Sequence, residues 1–154
     1  MARSYYSIVL DRTADEVWAV VRPFDHYAWA GVESRTIIEE GKAGDQVGAI
    51  RRVDLGNSVI RQRLLAHSDL DRSYSYALCE PSPYPVRNYT ATIRIVPVVE
   101  SSQAFVEWWA SFDCAAEEIE RWTGQFRDQG FAKWLAALRR FMATAPRGDA
   151  NSRG

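Results

Sequence analysis

The chain has 154 residues, of which 47% are hydrophobic and 25% are charged, and its formal net charge is −1. A chain of this length forms one domain that buries roughly two-thirds of its unfolded surface. The near-neutral charge excludes the strongly basic surface that proteins use to bind nucleic acid, so we predict no nucleic-acid partner.

The cysteine content and the lack of long apolar runs indicate a reducing compartment. Cys79 and Cys114 are too few for a disulfide framework or a metal cluster, and we predict neither a metal nor a cofactor. The first ten residues lack the apolar core of a signal peptide, and no segment has the roughly 18 apolar residues that a membrane span requires. These features predict a cytoplasmic protein without stable membrane insertion.

The N-terminal part of the chain predicts one strand and two short helices. The strand covers Ser4–Leu10. Thr13-Ala14-Asp15-Glu16 has the spacing of a capping box, in which the first and last side chains each bond to the other residue's backbone amide. Pro23 disfavours helix at the residue before it, so the first helix is predicted to bend or end there. The second short helix is predicted over Asp25–Trp29.

Alternation of apolar and polar residues then predicts a second strand and a five-stranded antiparallel meander, joined by short polar links. The second strand covers Ser34–Glu39. The meander strands are Val47–Leu55, Ser58–Ala66, Ser73–Cys79, Val86–Val99 and Gln103–Asp113. The polar tail Pro146–Gly154 is predicted to be disordered, so the domain covers residues 1–145.

The last long segment, Ala115–Ala143, has apolar residues at the period of a helix. At about 1.5 Å per residue it is about 40 Å long, so it needs a wide partner surface, which the meander supplies. Its apolar side is formed by Ile119, Trp122, Phe126, Phe131, Trp134, Leu135, Leu138, Phe141 and Met142. We predict that the space between this helix and the sheet is a ligand cavity.

The phase of each strand predicts which side chains face the helix. The inward sets are Ile60, Gln62, Leu64 and Ala66; Tyr74, Tyr76 and Leu78; Tyr89, Ala91, Ile93 and Ile95; and Val106, Trp108, Ala110 and Phe112. His67 therefore points outwards, and His26 is expected at the surface or the rim of the cavity.

Arg51 is predicted to be an inward-facing charge. If Gly56-Asn57 is a two-residue hairpin turn, Arg51 lies opposite Gln62 and Arg52 lies opposite Arg61. No inward Asp or Glu on these strands is available to neutralise Arg51. Two interpretations stay open: Arg51 bonds to backbone carbonyls or tyrosine hydroxyls, or it anchors a carboxylate, phenolate or carbonyl oxygen of a ligand.

Gly130 lies inside the long helix, on the same side as Phe126 and Trp134. A glycine there costs about 1 kcal/mol relative to alanine. It therefore either permits tight packing of the helix on the sheet or keeps space open for a ligand.

Six short strings carry a resemblance to a known family: Ala14-Asp15-Glu16-Val17-Trp18, Val47-Gly48-Ala49-Ile50-Arg51, Arg63-Leu64-Leu65-Ala66, Tyr74-Ser75-Tyr76, Asn88-Tyr89 and Glu107-Trp108. In this order and spacing the chain resembles the START-like (SRPBCC) helix-grip superfamily. That superfamily includes birch-pollen-allergen-like proteins, and the resemblance is greatest to its bacterial polyketide cyclase/dehydrase and lipid transport group. It covers residues 4–142.

The resemblance implies an α+β helix-grip fold. In it, a seven-stranded antiparallel sheet wraps round a long C-terminal helix, with two short helices after the first strand. Leu55–Ser58 and Pro81–Val86 correspond to loops over the cavity mouth. The implied function is binding or carriage of a hydrophobic small molecule (a lipid, polyketide or aromatic) by a monomer or homodimer.

The residues predicted to contact this ligand are Arg51, Gln62, Tyr74, Tyr76, Tyr89, Trp108, Phe126, Gly130 and Trp134. One alternative function is a polyketide cyclase, aromatase or dehydratase that uses cavity tyrosine and arginine residues, since an arginine can lower a phenol pKa. A second alternative is a protein-interaction or stress-related module, which requires a filled interior. Whether the protein is an enzyme stays open, and no catalytic residue is assigned.

Overall fold

The computed structural model describes residues 1–32, 36–54, 56 and 58–145. In it, a sheet of seven antiparallel strands packs with a long C-terminal helix. The strands in these residues are β1 (Ala2–Leu10), β2 (Thr36–Ile38), β3 (Ile50–Asp54), β4 (Val59–Ser68), β5 (Ser73–Leu78), β6 (Arg87–Val98) and β7 (Gln103–Asp113). Their order across the sheet is β1-β7-β6-β5-β4-β3-β2. The predicted fold class is confirmed.

The first helix, α1 (Ala14–Val21), begins at the predicted capping box. The Glu16 amide donates to the Thr13 hydroxyl at 3.1 Å, and the Thr13 amide donates to the Glu16 carboxylate at 3.3 Å. The second helix is shorter and later than predicted. It is a single 3₁₀ turn at Ala28–Ala30, because the preceding residues form a turn in which the His26 amide donates to the Pro23 carbonyl.

The β3–β4 hairpin has the predicted register. Arg51 pairs with Gln62, and Arg52 pairs with Arg61. Two residues of its connection, Leu55 and Asn57, lie outside the described residues, as do residues 33–35 at the predicted start of β2 and the tail 146–154.

A β-bulge at Leu65 changes the predicted phase of β4. The pairing with β5 shifts between Leu64 and Ala66, and an extra residue at this point reverses which side chains face inwards. The prediction was therefore wrong beyond the bulge: Ala66 is exposed, and the His67 side chain is only 9% exposed. The His67 ring packs against the Trp18 ring, with 5.4 Å between the ring centroids.

The C-terminal helix is continuous over residues 116–144, a length of 29 residues. It consists of a 3₁₀ turn (Ala116–Glu118), α2 (Ile119–Gly124), a π-helical segment (Gln125–Phe131) and α3 (Ala132–Thr144). Phe131 lies five positions after Phe126, and an ordinary α-helix would rotate the two residues about 140° apart. The wider π turn brings both rings onto the sheet, where both are buried.

Two buried polar side chains, Ser4 and Arg12, fix this helix to the sheet and to the N-terminal segment. The Ser4 hydroxyl donates to the Thr123 carbonyl at 2.8 Å. The Arg12 guanidinium donates to the carbonyls of Met142 and Ala145 at 2.5 and 2.6 Å, which caps the last turn. Ile119, predicted on the buried side, is 38% exposed because the first turns of the helix lie largely in solvent. No helix within the described residues is long and apolar enough to span a membrane.

Candidate functional site

A cavity of about 120 Å³ lies between the sheet and the C-terminal helix. Its lining residues are Tyr27, Val32, Val53, Ile60, Gln62, Tyr76, Leu78, Tyr84, Tyr89, Phe126 and Trp134. Apolar cavities of about 150 Å³ in protein interiors stay dry and bind benzene. The cavity in this conformation therefore has room for roughly one aromatic ring.

Five of the nine residues predicted to contact a ligand line this cavity. They are Gln62, Tyr76, Tyr89, Phe126 and Trp134. The other four, Arg51, Tyr74, Trp108 and Gly130, lie behind its wall.

Sequence reasoning missed six lining residues, and they fall into two groups. Ile60 and Leu78 were predicted to face inwards but were not included among the ligand contacts, and Val53, which pairs with Ile60, has the same inward phase. Tyr27, Val32 and Tyr84 come from connecting segments, in which no periodicity predicts a side-chain direction. Tyr84 does lie in the predicted mouth loop, where its ring packs on Trp122 and Phe126.

Arg51 is fully buried, but it does not face the cavity. Its Nε donates to the Gln62 Oε1 at 2.8 Å, its Nη2 donates to the same oxygen, and its Nη1 donates to the Phe24 carbonyl at 3.3 Å. The rings of Phe24 and Tyr27 lie 4.1 and 4.2 Å from the guanidinium carbon. Arg51 was predicted to contact a ligand, but these two aromatic residues cover it and it does not line the cavity.

Trp108 supports the wall from behind. It is fully buried, and its indole nitrogen donates to the Tyr76 hydroxyl at 3.1 Å. The centroid of its ring lies 5.2 Å from the ring centroid of Phe131 and 5.2 Å from that of Trp134. Trp108 therefore fixes two lining side chains, Tyr76 through a hydrogen bond and Trp134 through ring packing.

Gly130 makes room for a side chain of its own helix. A Cβ atom at Gly130 would lie 3.2 Å from the Trp134 ring, closer than ordinary van der Waals contact. The bare backbone thus lets the Trp134 indole lie across the preceding turn, where it forms part of the cavity wall. Neither sequence interpretation, tight packing on the sheet or open space for a ligand, anticipated this contact.

Burial keeps the cavity phenols protonated. It raises the pKa of Tyr76 and Tyr89 well above 10.0, and it raises the pKa of Tyr27 and Tyr84 in the same direction. The Arg51 charge acts to lower the pKa of Tyr76, but desolvation is the larger effect. The lowered phenol pKa that the cyclase alternative could have used is therefore not the net effect at Tyr76.

Raising the pH above 10 is expected to destabilise the protein. Tyrosines in the unfolded chain ionise near 10.0, whereas the buried phenols ionise only at higher pH. Their contribution to stability is thus fully present below pH 10 and is lost as the pH rises towards the folded-state pKa. A pH titration followed by the ultraviolet absorbance of phenolate measures tyrosine ionisation, and circular dichroism recorded in parallel measures unfolding.

Most of the seven tyrosines should then ionise together with unfolding, while the urea-unfolded chain should titrate all seven near the ordinary value. Ionisation of Tyr76 and Tyr89 near 10.0 in a protein that is still folded would contradict the expectation.

Neither histidine lines the cavity. His26 is exposed, and the His67 Nε2 lies 3.1 Å from the Asp69 carboxylate, outside the cavity wall. Among the described residues that line the cavity, the only titratable side chains are phenols. The described residues also contain no group of three or more His, Cys, Asp or Glu side chains placed to hold a metal ion. The site therefore offers hydrogen-bond donors and apolar surface.

Comparison with known proteins gives a family match over almost the whole chain. A family model described as "Polyketide cyclase / dehydrase and lipid transport" matches residues 1–145. Comparison with curated proteins finds no match. The solution NMR structure of a protein from Thermobifida fusca is 26% identical, with a TM-score of 0.83 over 97% of this chain and 99% of that one.

Two more distant structures share the fold. BexL, a di-domain ARO/CYC protein from the BE-7585A biosynthetic pathway, is 19% identical, with a TM-score of 0.75 over 95% of this chain and 48% of BexL. Norcoclaurine synthase from Thalictrum flavum, in complex with dopamine and hydroxybenzaldehyde, is 13% identical, with a TM-score of 0.73 over 95% of this chain and 88% of that one.

Proposed function

The chain belongs to the polyketide cyclase / dehydrase and lipid transport family, and from this membership we propose that it binds a small, neutral, aromatic or polyketide-derived molecule in the cavity. The family and the shared fold support a ligand-binding or cyclase role. The observation that carries the finer proposal is the cavity wall, which combines aliphatic and aromatic side chains with four neutral phenols and one amide.

The size of the cavity supports a compact ligand. About 120 Å³ holds one ring with a small substituent, whereas a long acyl chain fits only if wall residues move. The norcoclaurine synthase structure contains dopamine and hydroxybenzaldehyde, which each have one aromatic ring, so a related fold accommodates ligands of this size. An unfilled interior also argues against a module that acts only through its surface.

The lack of a charged side chain in the described wall supports a neutral ligand. A carboxylate in this cavity would lose its hydration without meeting a cation, since Arg51 lies behind the wall. The earlier interpretation of Arg51 as a direct anchor for an acid is therefore replaced by binding through neutral donors.

Filling the cavity is expected to abolish binding. Ile60 lines the cavity and is partly exposed, so Ile60→Phe adds a ring where the ligand would lie. One-ring aromatic ligands should raise the Tm of the wild type, because a ligand at about 100 times its Kd stabilises the folded state by about 2.7 kcal/mol. The same ligands should not raise the Tm of Ile60→Phe, and differential scanning calorimetry measures both.

The matched control is Ile8→Phe. Ile8 is also partly buried, but it lies on β1 and does not line the cavity. This variant should keep the ligand-induced rise in Tm. A rise that persists in Ile60→Phe would contradict binding at this site. Native mass spectrometry of protein purified from its own source would identify a molecule that co-purifies with it.

A cyclase or aromatase is the second candidate function, and the neutral phenols favour it. Protonated Tyr76 and Tyr89 can donate hydrogen bonds to a substrate carbonyl and stabilise charge that develops on its oxygen. Turnover of a nascent polyketide that Tyr76→Phe or Tyr89→Phe slows would support catalysis. Unchanged turnover in both variants would leave ligand binding as the proposed function.

A further inference from the structure

The orientation of the Gln62 amide follows from the chemistry of Arg51. A guanidinium has only hydrogen-bond donors, so the Gln62 atom that Arg51 contacts through two nitrogens must be the carbonyl oxygen. The amide NH₂ group then points away from Arg51. Because Arg51 lies behind the wall and Gln62 is part of it, the NH₂ group is the end of Gln62 that faces the cavity.

This orientation is fixed from several sides. The hairpin register holds Arg51 directly opposite Gln62, and the Phe24 carbonyl and two aromatic rings hold the guanidinium in place. No described residue accepts a hydrogen bond from the Gln62 NH₂ group. A hydrogen bond that the amide oxygen accepts from a cation also polarises the amide and strengthens its own donors.

Tyr76, on the neighbouring strand β5, also has its oxygen occupied by a hydrogen-bond donor. Its hydroxyl oxygen accepts a hydrogen bond from the Trp108 indole, which is another group with only a donor. Trp108 leaves the Tyr76 proton unused, so this proton is available to the cavity that Tyr76 lines. Gln62 on β4 pairs with Leu78 on β5, and Tyr76 lies two residues before Leu78. Gln62 and Tyr76 are therefore diagonal neighbours on the same face of the sheet.

We infer that the cavity selects ligands that carry a neutral hydrogen-bond acceptor, such as the carbonyl of an aryl ketone, and that Gln62 and Tyr76 donate to it. Arg51 and Trp108 act as positioning residues. Arg51 donates to the Gln62 oxygen and Trp108 donates to the Tyr76 oxygen, so the N–H and O–H groups of these two side chains stay available to the ligand. The inference rests on the proposed function and specifies the polar end of the ligand.

Three probes of similar size test this selectivity in calorimetric titrations. Acetophenone carries an acceptor, α-methylstyrene has nearly the same shape without one, and N-methylaniline carries a donor. In the wild type, acetophenone should bind about tenfold more tightly than α-methylstyrene, as expected for one or two net hydrogen bonds. N-methylaniline should bind no more tightly than the hydrocarbon.

Gln62→Glu reverses the polarity while retaining an oxygen for Arg51, so the buried cation stays paired. A second carboxylate oxygen then replaces the NH₂ group towards the cavity. Acetophenone should lose its tenfold advantage in this variant, and N-methylaniline should bind more tightly than in the wild type. The infrared carbonyl band of bound acetophenone should lie at lower wavenumber in the wild type than in Gln62→Glu.

The outcomes separate the two proposals. If acetophenone and α-methylstyrene bind the wild type equally well, or if the carbonyl band does not differ between the proteins, the inference is overturned and ligand binding stands. If none of the three probes binds the wild type, the proposed function is overturned. In Arg51→Met the Gln62 amide is free to rotate, whereas Tyr76 still donates. Acetophenone should therefore lose part of its preference while α-methylstyrene keeps its affinity. An unchanged preference would overturn the positioning role of Arg51.

Discussion

Trp108→Ala is expected to lower the free energy of unfolding by about 3–5 kcal/mol, the usual range for deletion of a buried tryptophan or phenylalanine side chain. Trp108 is fully buried, and its ring contacts Trp29, Phe131 and Trp134 at 5.2–5.7 Å. The substitution opens a void where β7 meets the C-terminal helix and leaves the Tyr76 hydroxyl without its donor. Urea denaturation followed by circular dichroism measures the loss.

The next residue along the strand is the matched control. Trp109 faces the outer side of the sheet, where it is partly exposed and stacks on Tyr5 at 6.4 Å. Trp109→Ala removes the same number of atoms but should cost only about 1 kcal/mol, the value of one aromatic pair. Equal losses at the two positions would contradict the assigned inner and outer faces of β7.

Gln62→Leu is expected to destabilise the protein by about 3 kcal/mol, because it leaves a buried guanidinium without its main acceptor. Nε and Nη2 of Arg51 both donate to the Gln62 oxygen, and Arg51 is fully buried. Arg51→Met alone should cost less, about 1–2 kcal/mol, since the oxygens that lose their donor, those of Gln62 and Phe24, are neutral. The double variant should be close to the wild type, because an apolar pair then replaces both polar partners.

A double-mutant cycle in urea denaturation measures this coupling. Arg52→Met is the control, because Arg52 is the exposed neighbour on the same strand and should change stability by no more than about 0.5 kcal/mol. If the losses from Arg51→Met and Gln62→Leu simply add in the double variant, the two side chains do not act as a pair.

Local chemistry made much of the fold predictable. The capping box at Thr13, the alternation along β6 and β7 and the register of the β3–β4 hairpin each depend on neighbours in sequence, and each was predicted correctly. The hairpin register followed from the predicted two-residue turn at Gly56-Asn57, so the pairing of Arg51 with Gln62 was predicted before any side chain was placed.

Two local irregularities were not predictable from periodicity. The bulge at Leu65 inserts one residue and reverses the phase of the rest of β4, which turned His67 inwards. The π-helical segment Gln125–Phe131 rotates the two halves of the C-terminal helix relative to each other. Its only trace in the sequence is the five-residue spacing of Phe126 and Phe131 beside Gly130, because a bulge or a π turn is stabilised by the contacts it permits.

The sequence by itself determined the strands, the long helix, the inward face of the strands outside the β4 bulge and the presence of a buried arginine, because these depend on the period of the side chains and on turn chemistry. Only the tertiary structure decided what that arginine contacts. Phe24 and Tyr27 come from a connecting segment far from Arg51 in sequence, and they cover the guanidinium and separate it from the cavity. Tertiary packing also decided the protonation state of the cavity phenols, since desolvation by surrounding elements outweighs the charge of Arg51.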